Sequence, residues 1–574
     1  MPYIWHDKHL FLAGLFSMLL VSGARLLDPL IIAHIIDVSI PKNDIKDMFI
    51  YAGLFVIVII FSGIIAYFQT ITLSKLGIKI VTKIKAEVFD HLLQLPVSYF
   101  DQYKVGELIA RVESDAEKVK QLFSSFSIMI IGNIMFFLGM VIILLWKSTY
   151  VTILLMIPII IITFLMTIMI RYLNKYYKKI RKLYARVSGV LTEYIQGMHI
   201  VQLFNKERDV KDIIDKVSKE KQSLESRTLF TEYSFWGLFS FIANSLFLIL
   251  VIWLLAPKVI SRIATLGTLI IFIQYGSRIL DPLMGIAENL TFIQKAFVSL
   301  ERIFNILAVK TEYDIREGNI VPQFNNEIIF KDVWFKYKED EWVLKGINFS
   351  IKKGEKVAFV GASGSGKTTT ISLLCAFYRI TKGHIEVDGC NLNHFQLKQW
   401  RSKIGLVLQD VYLFPGNILE NIRIYNDDIS MEKINSAIST VQANNFINKT
   451  EKGIYSEISE RGQNISSGEK QLLSFARAIA FSPEIIVLDE ATASIDVVTE
   501  KKIEAAMKTT MKGKTAVIVA HRLSSVINAD KILLFQNGNI IAQGTHNELL
   551  SSSLEYKRLV ELQFMHITGK TIKE

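Results

Sequence analysis

The chain has 574 residues, 51% of them hydrophobic and 21% charged, with 65 Lys and Arg against 54 Asp and Glu for a formal net charge of +11. A mean hydropathy of +0.34 excludes an ordinary soluble enzyme, and the length predicts several domains. The positive balance would suit nucleic acid, but no basic-aromatic recognition module accompanies it, which excludes that partner and leaves anionic membrane lipid.

Six apolar segments occupy the first half, at about 10–36, 48–73, 124–146, 150–171, 229–256 and 265–290. Each is long enough for a membrane helix, which needs roughly twenty residues. The stretches 129–145 and 151–170 carry no charge at all. The first segment lacks a convincing cleavage site, so it reads as an uncleaved span preceded by an interfacial Trp5. The loop after the second segment holds Lys75, Lys79, Lys83, Lys85, Lys104, Arg111, Lys118 and Lys120. The loop after the fourth is richer, with Arg171, Lys175, Lys178, Lys179, Arg181, Lys182 and Arg186. The other side has little beyond Lys42, Lys46, Lys147, Lys258 and Arg262. The basic loops, the N-terminus and the C-terminal half are therefore expected in the cytoplasm, as an even number of spans permits.

Residues 75–123 and 172–228 repeat apolar positions at helical spacing and hold one proline, Pro96, so long helices should continue past the bilayer. A polar stretch at 309–326, with Pro322, reads as a linker. From 327 onward apolar β-branched runs alternate with helical stretches. Those at 357–360, 404–408, 485–488 and 516–519 read as buried parallel strands. The two cysteines, Cys375 and Cys390, lack metal-ligand spacing and read as free thiols. No internal repeat is evident, which predicts one set of spans.

The strongest motif follows the strand at 357–360. Gly361-Ala362-Ser363-Gly364-Ser365-Gly366-Lys367-Thr368, continued by Thr369, matches GxxxxGK[ST]. Its backbone N–H groups and the helix N-terminus behind them cradle phosphates, Lys367 reaches the β/γ oxygens and Thr368 holds Mg²⁺. About a hundred residues later comes Ile465-Ser466-Ser467-Gly468-Glu469, then an apolar strand ending in Asp489-Glu490, then His521. In this order the four motifs resemble those of ABC ATPases. With the membrane segments ahead of them, the chain resembles an ABC exporter half-transporter over nearly its whole length. In the first half the likeness rests on segment lengths and short phrases such as Pro96, Phe100-Asp101, Gly106-Glu107 and Arg111.

The resemblance implies a six-helix transmembrane domain at 1–308 with long cytoplasmic extensions, then a linker and an α/β ATPase domain at 327–574. It places coupling helices near 102–108 and 204–208, where membrane helices press on an ATPase domain. Tyr337 matches the aromatic that stacks on adenine, and Gln409 the glutamine that contacts Mg²⁺ and the attacking water. Asp489 matches the carboxylate that holds Mg²⁺ through water, Glu490 the base that deprotonates the attacking water, and His521 the contact to the γ-phosphate. Ser466 and Gly468 match the groups that complete a partner subunit's site, and Asp496 lies in the loop reaching across the dimer. ATP and Mg²⁺ are thus the implied ligands, and a second half-transporter the implied partner. The wording around 468–473 and 491–496 is most similar to one subunit of bacterial heterodimeric multidrug-type exporters, which favours a heterodimer over a homodimer.

The signature departs from Leu-Ser-Gly-Gly-Gln at Ser467 and Glu469, and a carboxylate at 469 weakens anion binding slightly. The function implied is ATP-driven export of amphipathic drugs or lipids across the cytoplasmic membrane. A dedicated lipid flippase, a peptide exporter and an ATP-gated regulatory or channel subunit are the alternatives. Arg25, Asp28, Asn133, Glu232, Trp236, Asn244, Gln274, Arg278 and Asp281 are candidates to line a substrate cavity, because polar groups at membrane depth are functional candidates by default.

Overall fold

The computed structural model describes residues 7–122, 124, 127–315, 318–339, 341–489, 497–520 and 526–568. They form two compact units, one of Met1–Asp90 and Gly106–Ala308, the other of His91–Val105 and Val309–Glu574.

The first unit is helical. Its main helices are α1 (Lys8–His34), α2 (Ile45–Leu93), α4 (Val105–Ala110), α5 (Ser127–Lys147), α6 (Thr149–Gln196), α7 (Met198–Leu203), α8 (Glu207–Ile260), α9 (Leu266–Arg278) and α10 (Leu280–Leu307), while the six-residue α3 (Val97–Gln102) falls in the second unit. Among the described residues five helices are long and apolar enough to cross a membrane: Lys8–Ser39, Ile45–Leu93, Ile130–Lys147, Thr149–Gln196 and Glu207–Ile260. α2, α6 and α8 run to 49, 48 and 54 residues, far beyond the roughly twenty that a bilayer needs, so they extend well past it.

The sixth expected span falls on two helices that meet at Ile279. Pro282 has no N–H to offer the carbonyl of Arg278, and the Ile279 N–H turns to Gly276 O at 3.4 Å. Met140, Leu144, Val151, Leu155, Val251, Leu255 and Phe272 form a buried core, whereas Ile57, Ile160 and Ile161 stay exposed, as they can where the solvent is hydrocarbon. Short helices lie at or beside the expected coupling positions. Residues 102–108 straddle the junction of α3 and α4, and 204–208 the turn between α7 and α8.

The second unit is an α/β fold. A six-stranded sheet runs β12-β11-β3-β10-β9-β6, with β3 (Lys356–Gly361), β6 (Ile404–Val407), β9 (Ile485–Asp489), β10 (Thr515–Val519) and β11 (Lys531–Gln536) parallel and β12 (Asn539–Gly544) antiparallel at one edge. The strands are continuous apolar runs because both faces are covered. Val357 and Phe359 join one buried core with Ile485, Val487, Val517 and Val519. Ala358 and Val360 join the other with Ile486, Leu488, Ala516 and Ile518. An antiparallel sheet, β2-β1-β4-β5, built on β1 (Glu327–Phe335), β2 (Leu344–Lys352), β4 (Lys382–Val387) and β5 (Cys390–Asn391), packs into the first of these cores.

Residues 309–315 and 318–326, expected within a linker, are pinned to this unit. Their short helix α11 (Glu312–Ile315) buries Glu312, whose carboxylate takes two bonds from Arg401, at 2.7 and 2.8 Å. Phe324 is buried, and Ile320 bridges to Phe395. The segment 91–105 is held here as well, since Glu312 N–H donates to Gln94 O at 2.8 Å. Cys375 and Cys390 are both free thiols, and burial pushes that of Cys375 up to about 12.

Candidate nucleotide site

β3 ends in the glycine-rich loop, which feeds α12 (Lys367–Leu374). The turn requires glycine at two positions. Gly366 sits at φ +108° with a Cβ position 2.6 Å from Leu344, and a Cβ on Gly361 would lie 2.2 Å from the Phe535 carbonyl oxygen. Lys367 is buried, and its ammonium donates to the carbonyls of Gly361 and Ala362 at 2.7 and 2.8 Å. Burial pulls its pKa below the ordinary lysine value, and the Asp489 carboxylate opposes that shift. The cation is thus held inside the loop at partial cost, and a bound phosphate would restore the stabilisation that burial removes.

Asp489 ends β9, buried, and Gln409 follows β6 on the same edge of the sheet, where open α/β sheets place ligands. Thr368 is exposed at the start of α12. A hydroxyl, an amide oxygen and a carboxylate are the hard oxygen donors that Mg²⁺ takes, so Thr368, Gln409 and Asp489 fit that ion. Glu490, Asp496 and His521 lie outside the described residues.

Tyr337, half exposed, packs edge-on to Phe335 and Tyr378 with ring centroids 4.8 and 5.1 Å away, and its hydroxyl lies 3.2 Å from that of Thr369. These rings wall a cavity of about 670 Å³ that also touches Arg379, Asp101 and Gln102. Tyr378 donates its hydroxyl to Asp101 at 2.5 Å. The cavity wall beside Tyr337 is therefore bonded to the segment 91–105, a link that no sequence motif disclosed.

Ser466 caps α13 (Ser467–Ala480). Its N–H and hydroxyl both donate to the Glu469 carboxylate, at 3.0 and 2.7 Å, and Glu469 N–H returns a bond to the Ser466 oxygen at 3.4 Å. This capping box stabilises the helix by about 1 kcal/mol. It also puts a carboxylate where the helix dipole is most positive, a larger local change than the substitution at 469 suggested.

The same helix carries a residue that motif reading missed. Arg477 is partly buried, and burial pulls its pKa down. It donates to the carbonyls of Asn421 and Tyr412 at 2.9 and 3.2 Å, and to Asn421 Oδ1 at 3.4 Å. The Asn421 side chain in turn takes the Phe414 N–H and donates to Phe414 O, both at 2.8 Å. The signature helix is thus tied to the segment just after Gln409. The available signal was one arginine beside Leu472, Phe475 and Ala476 on an apolar face. Arg477→Lys keeps the charge but loses the fork, and should destabilise the chain by about 2–4 kcal/mol. A thermal unfolding midpoint unchanged from the parent would refute that.

The substrate-cavity candidates distribute over the helical unit. Asp28 and Arg278 approach to 3.9 Å, Tyr177 donates to Glu232, and Asn244 donates to Ser240 at 3.3 Å. Trp236 packs against Phe235 and Phe239, while Arg25 and Asp281 are exposed. Asn133 and Gln274 are partly buried.

Two family models match the chain, one described as ABC transporter transmembrane region over residues 11–283 and one as ABC transporter over residues 344–493. The chain is 34% identical over 527 residues to the probable multidrug resistance ABC transporter ATP-binding/permease protein YheH of Bacillus subtilis, covering 91% of this chain and 78% of that protein. It is 30% identical over 569 residues to an ATP-dependent lipid A-core flippase of Idiomarina loihiensis, with 98% and 97% covered. It is also 32% identical over 560 residues to the multidrug resistance-like ATP-binding protein MdlB of Buchnera aphidicola, with 96% and 95% covered.

Proposed function

The chain belongs to the ABC transporter family, and we propose that it is an exporter driving amphipathic small molecules or lipids outward across the cytoplasmic membrane. Relatives named for multidrug resistance and for lipid A-core flipping support that substrate range. The observation that carries transport, rather than hydrolysis alone, is the bond from Tyr378 to Asp101. It ties Tyr378, which packs against the adenine candidate Tyr337, to a segment that interrupts the helical unit in sequence.

In this reading Tyr337 stacks on adenine and the loop from Gly361 to Thr369 cradles the phosphates. Lys367 exchanges its loop carbonyls for the β/γ oxygens. Mg²⁺, held by Thr368, Gln409 and Asp489, supplies charge neutralisation when bound. Glu490 accepts the proton of the attacking water, and His521 bonds the γ-phosphate until it leaves. Ser466 and Gly468 complete the site of a second half-transporter, across which Asp496 reaches. One chain alone makes no whole site.

A heterodimer is favoured over a homodimer. In a homodimer both sites would face a signature carrying Glu469, whereas a different partner can supply one that is free of the carboxylate. The test is hydrolysis and vesicle uptake by the reconstituted chain, alone and with a partner half-transporter, across a panel of amphipathic drugs and lipids. Stimulated hydrolysis with uptake is the expected result. Absence of both across the panel would sink the proposal, and ion conductance without uptake would favour a channel or regulator.

A further inference from the structure

α6 is apolar and uncharged from 151 to 170 and becomes basic at once, carrying no acidic residue between Arg171 and Glu193. Arg171, Lys175, Lys178, Lys182 and Arg186 follow one another at separations of four, three, four and four residues, which puts them on one face of the helix. The opposite face is the one that packs. Leu173 and Ile180 are buried there, and Tyr177 reaches Glu232 on α8. The five cations are exposed.

Five of the eight cations named in the other basic segment are paired. Lys79, Lys85, Arg111, Lys118 and Lys120 each meet a carboxylate, from Asp7, Glu113, Glu107, Asp115 and Glu117 in turn. Among the described residues Arg171, Lys175, Lys178 and Lys182 form no ion pair, and Arg186 has only a long one of 3.8 Å to Glu220. Orienting a chain in a membrane needs positive charge on one side, and paired cations would serve. Four charges left without counterions on one face ask for an anion from outside the chain.

We propose that this stripe holds the headgroups of anionic phospholipid in the leaflet from which α6 emerges. At 1.5 Å per residue Arg171 to Lys178 covers about 10 Å, within the headgroup layer, and Arg186 lies about 22 Å from Arg171. The first three cations touch headgroups, and the last two extend the attraction to about a Debye length beyond. Tyr172 and Tyr176, ring centroids 5.0 Å apart, stand at the same level, where amphipathic rings favour the interface. The charge of the stripe is complementary to that of anionic headgroups.

The inference rests on 150–171 being a span, which resistance to alkaline extraction checks separately. The experiment places the full chain in nanodiscs of phosphatidylcholine containing a minor fraction of phosphatidylglycerol. It measures the ratio of spin-labelled phosphatidylglycerol to phosphatidylcholine immobilised by the protein. Lys175→Gln/Lys178→Gln/Lys182→Gln should lower that preference about tenfold while the chain still hydrolyses ATP, as fits the loss of several surface cations. Lys79→Gln/Lys85→Gln/Lys120→Gln removes the same charge from paired positions and should leave the preference within twofold of the parent.

Equal losses in the two variants would overturn the proposal, since net charge alone would then explain them. An unchanged preference in the first variant would overturn it too. So would loss of uptake with lipid retention intact, because the stripe would then handle cargo rather than bilayer lipid.

Discussion

Lys367→Ala should lower ATP turnover about 100- to 1,000-fold and weaken nucleotide binding at the same time. The ammonium is the one buried cation of the glycine-rich loop among the described residues, held by two carbonyls at 2.7 and 2.8 Å and partly opposed by burial. Phosphate oxygens are stronger acceptors than carbonyls, so ATP draws the charge onto the β/γ bridge, where negative charge develops as the bond to the γ-phosphoryl group breaks. Alanine leaves that charge unopposed and leaves both carbonyls without their donor. Steady-state hydrolysis and equilibrium binding of a fluorescent ATP analogue measure the two effects. Turnover within threefold of the parent would remove Lys367 from the machinery.

A different signature belongs to Glu490→Gln. The amide keeps the shape and the hydrogen bonding but cannot take the proton from water. Hydrolysis should therefore fall about 100-fold or more with the KM for ATP little changed. Since ATP is bound but not consumed, an ATP-dependent dimer of the ATPase halves should accumulate, visible as a mass increase in light scattering with Mg²⁺ and ATP present. A parallel rise in KM would mean that Glu490 serves binding rather than chemistry. If the parent chain by itself also turns over slowly and stays monomeric, whereas adding a partner half-transporter restores activity that the variant lacks, the site is shared between different subunits.

Much of the candidate nucleotide site is legible in the sequence because its chemistry is local. A phosphate cradle needs glycines, a lysine and a hydroxyl at fixed spacing on one turn, and 361–369 carries them in order. The strands at 357–360, 404–408, 485–488 and 516–519 announced themselves as apolar runs, since two-sided burial leaves no room for alternation. β11 escaped because the same kind of run, 531–536, comes without a motif at its end. The break at Ile279 was in principle readable from Pro282, but continuous hydrophobicity across 265–290 masked a fault that lies in the hydrogen-bond ladder.

What the sequence by itself determined is whatever depends on residue type and short-range spacing: six apolar segments, the bias of positive charge between loops, and the order of the phosphate-binding and signature motifs. Those properties survive without knowing which distant residues meet. Only the tertiary structure decided the long-range pairs. Asp101 reaches Tyr378, Glu312 closes on Arg401, and Arg477 ties Tyr412 and Asn421 to the signature helix. These are polar contacts between residues far apart in sequence, with no periodicity to betray them, made where buried donors and acceptors must be satisfied.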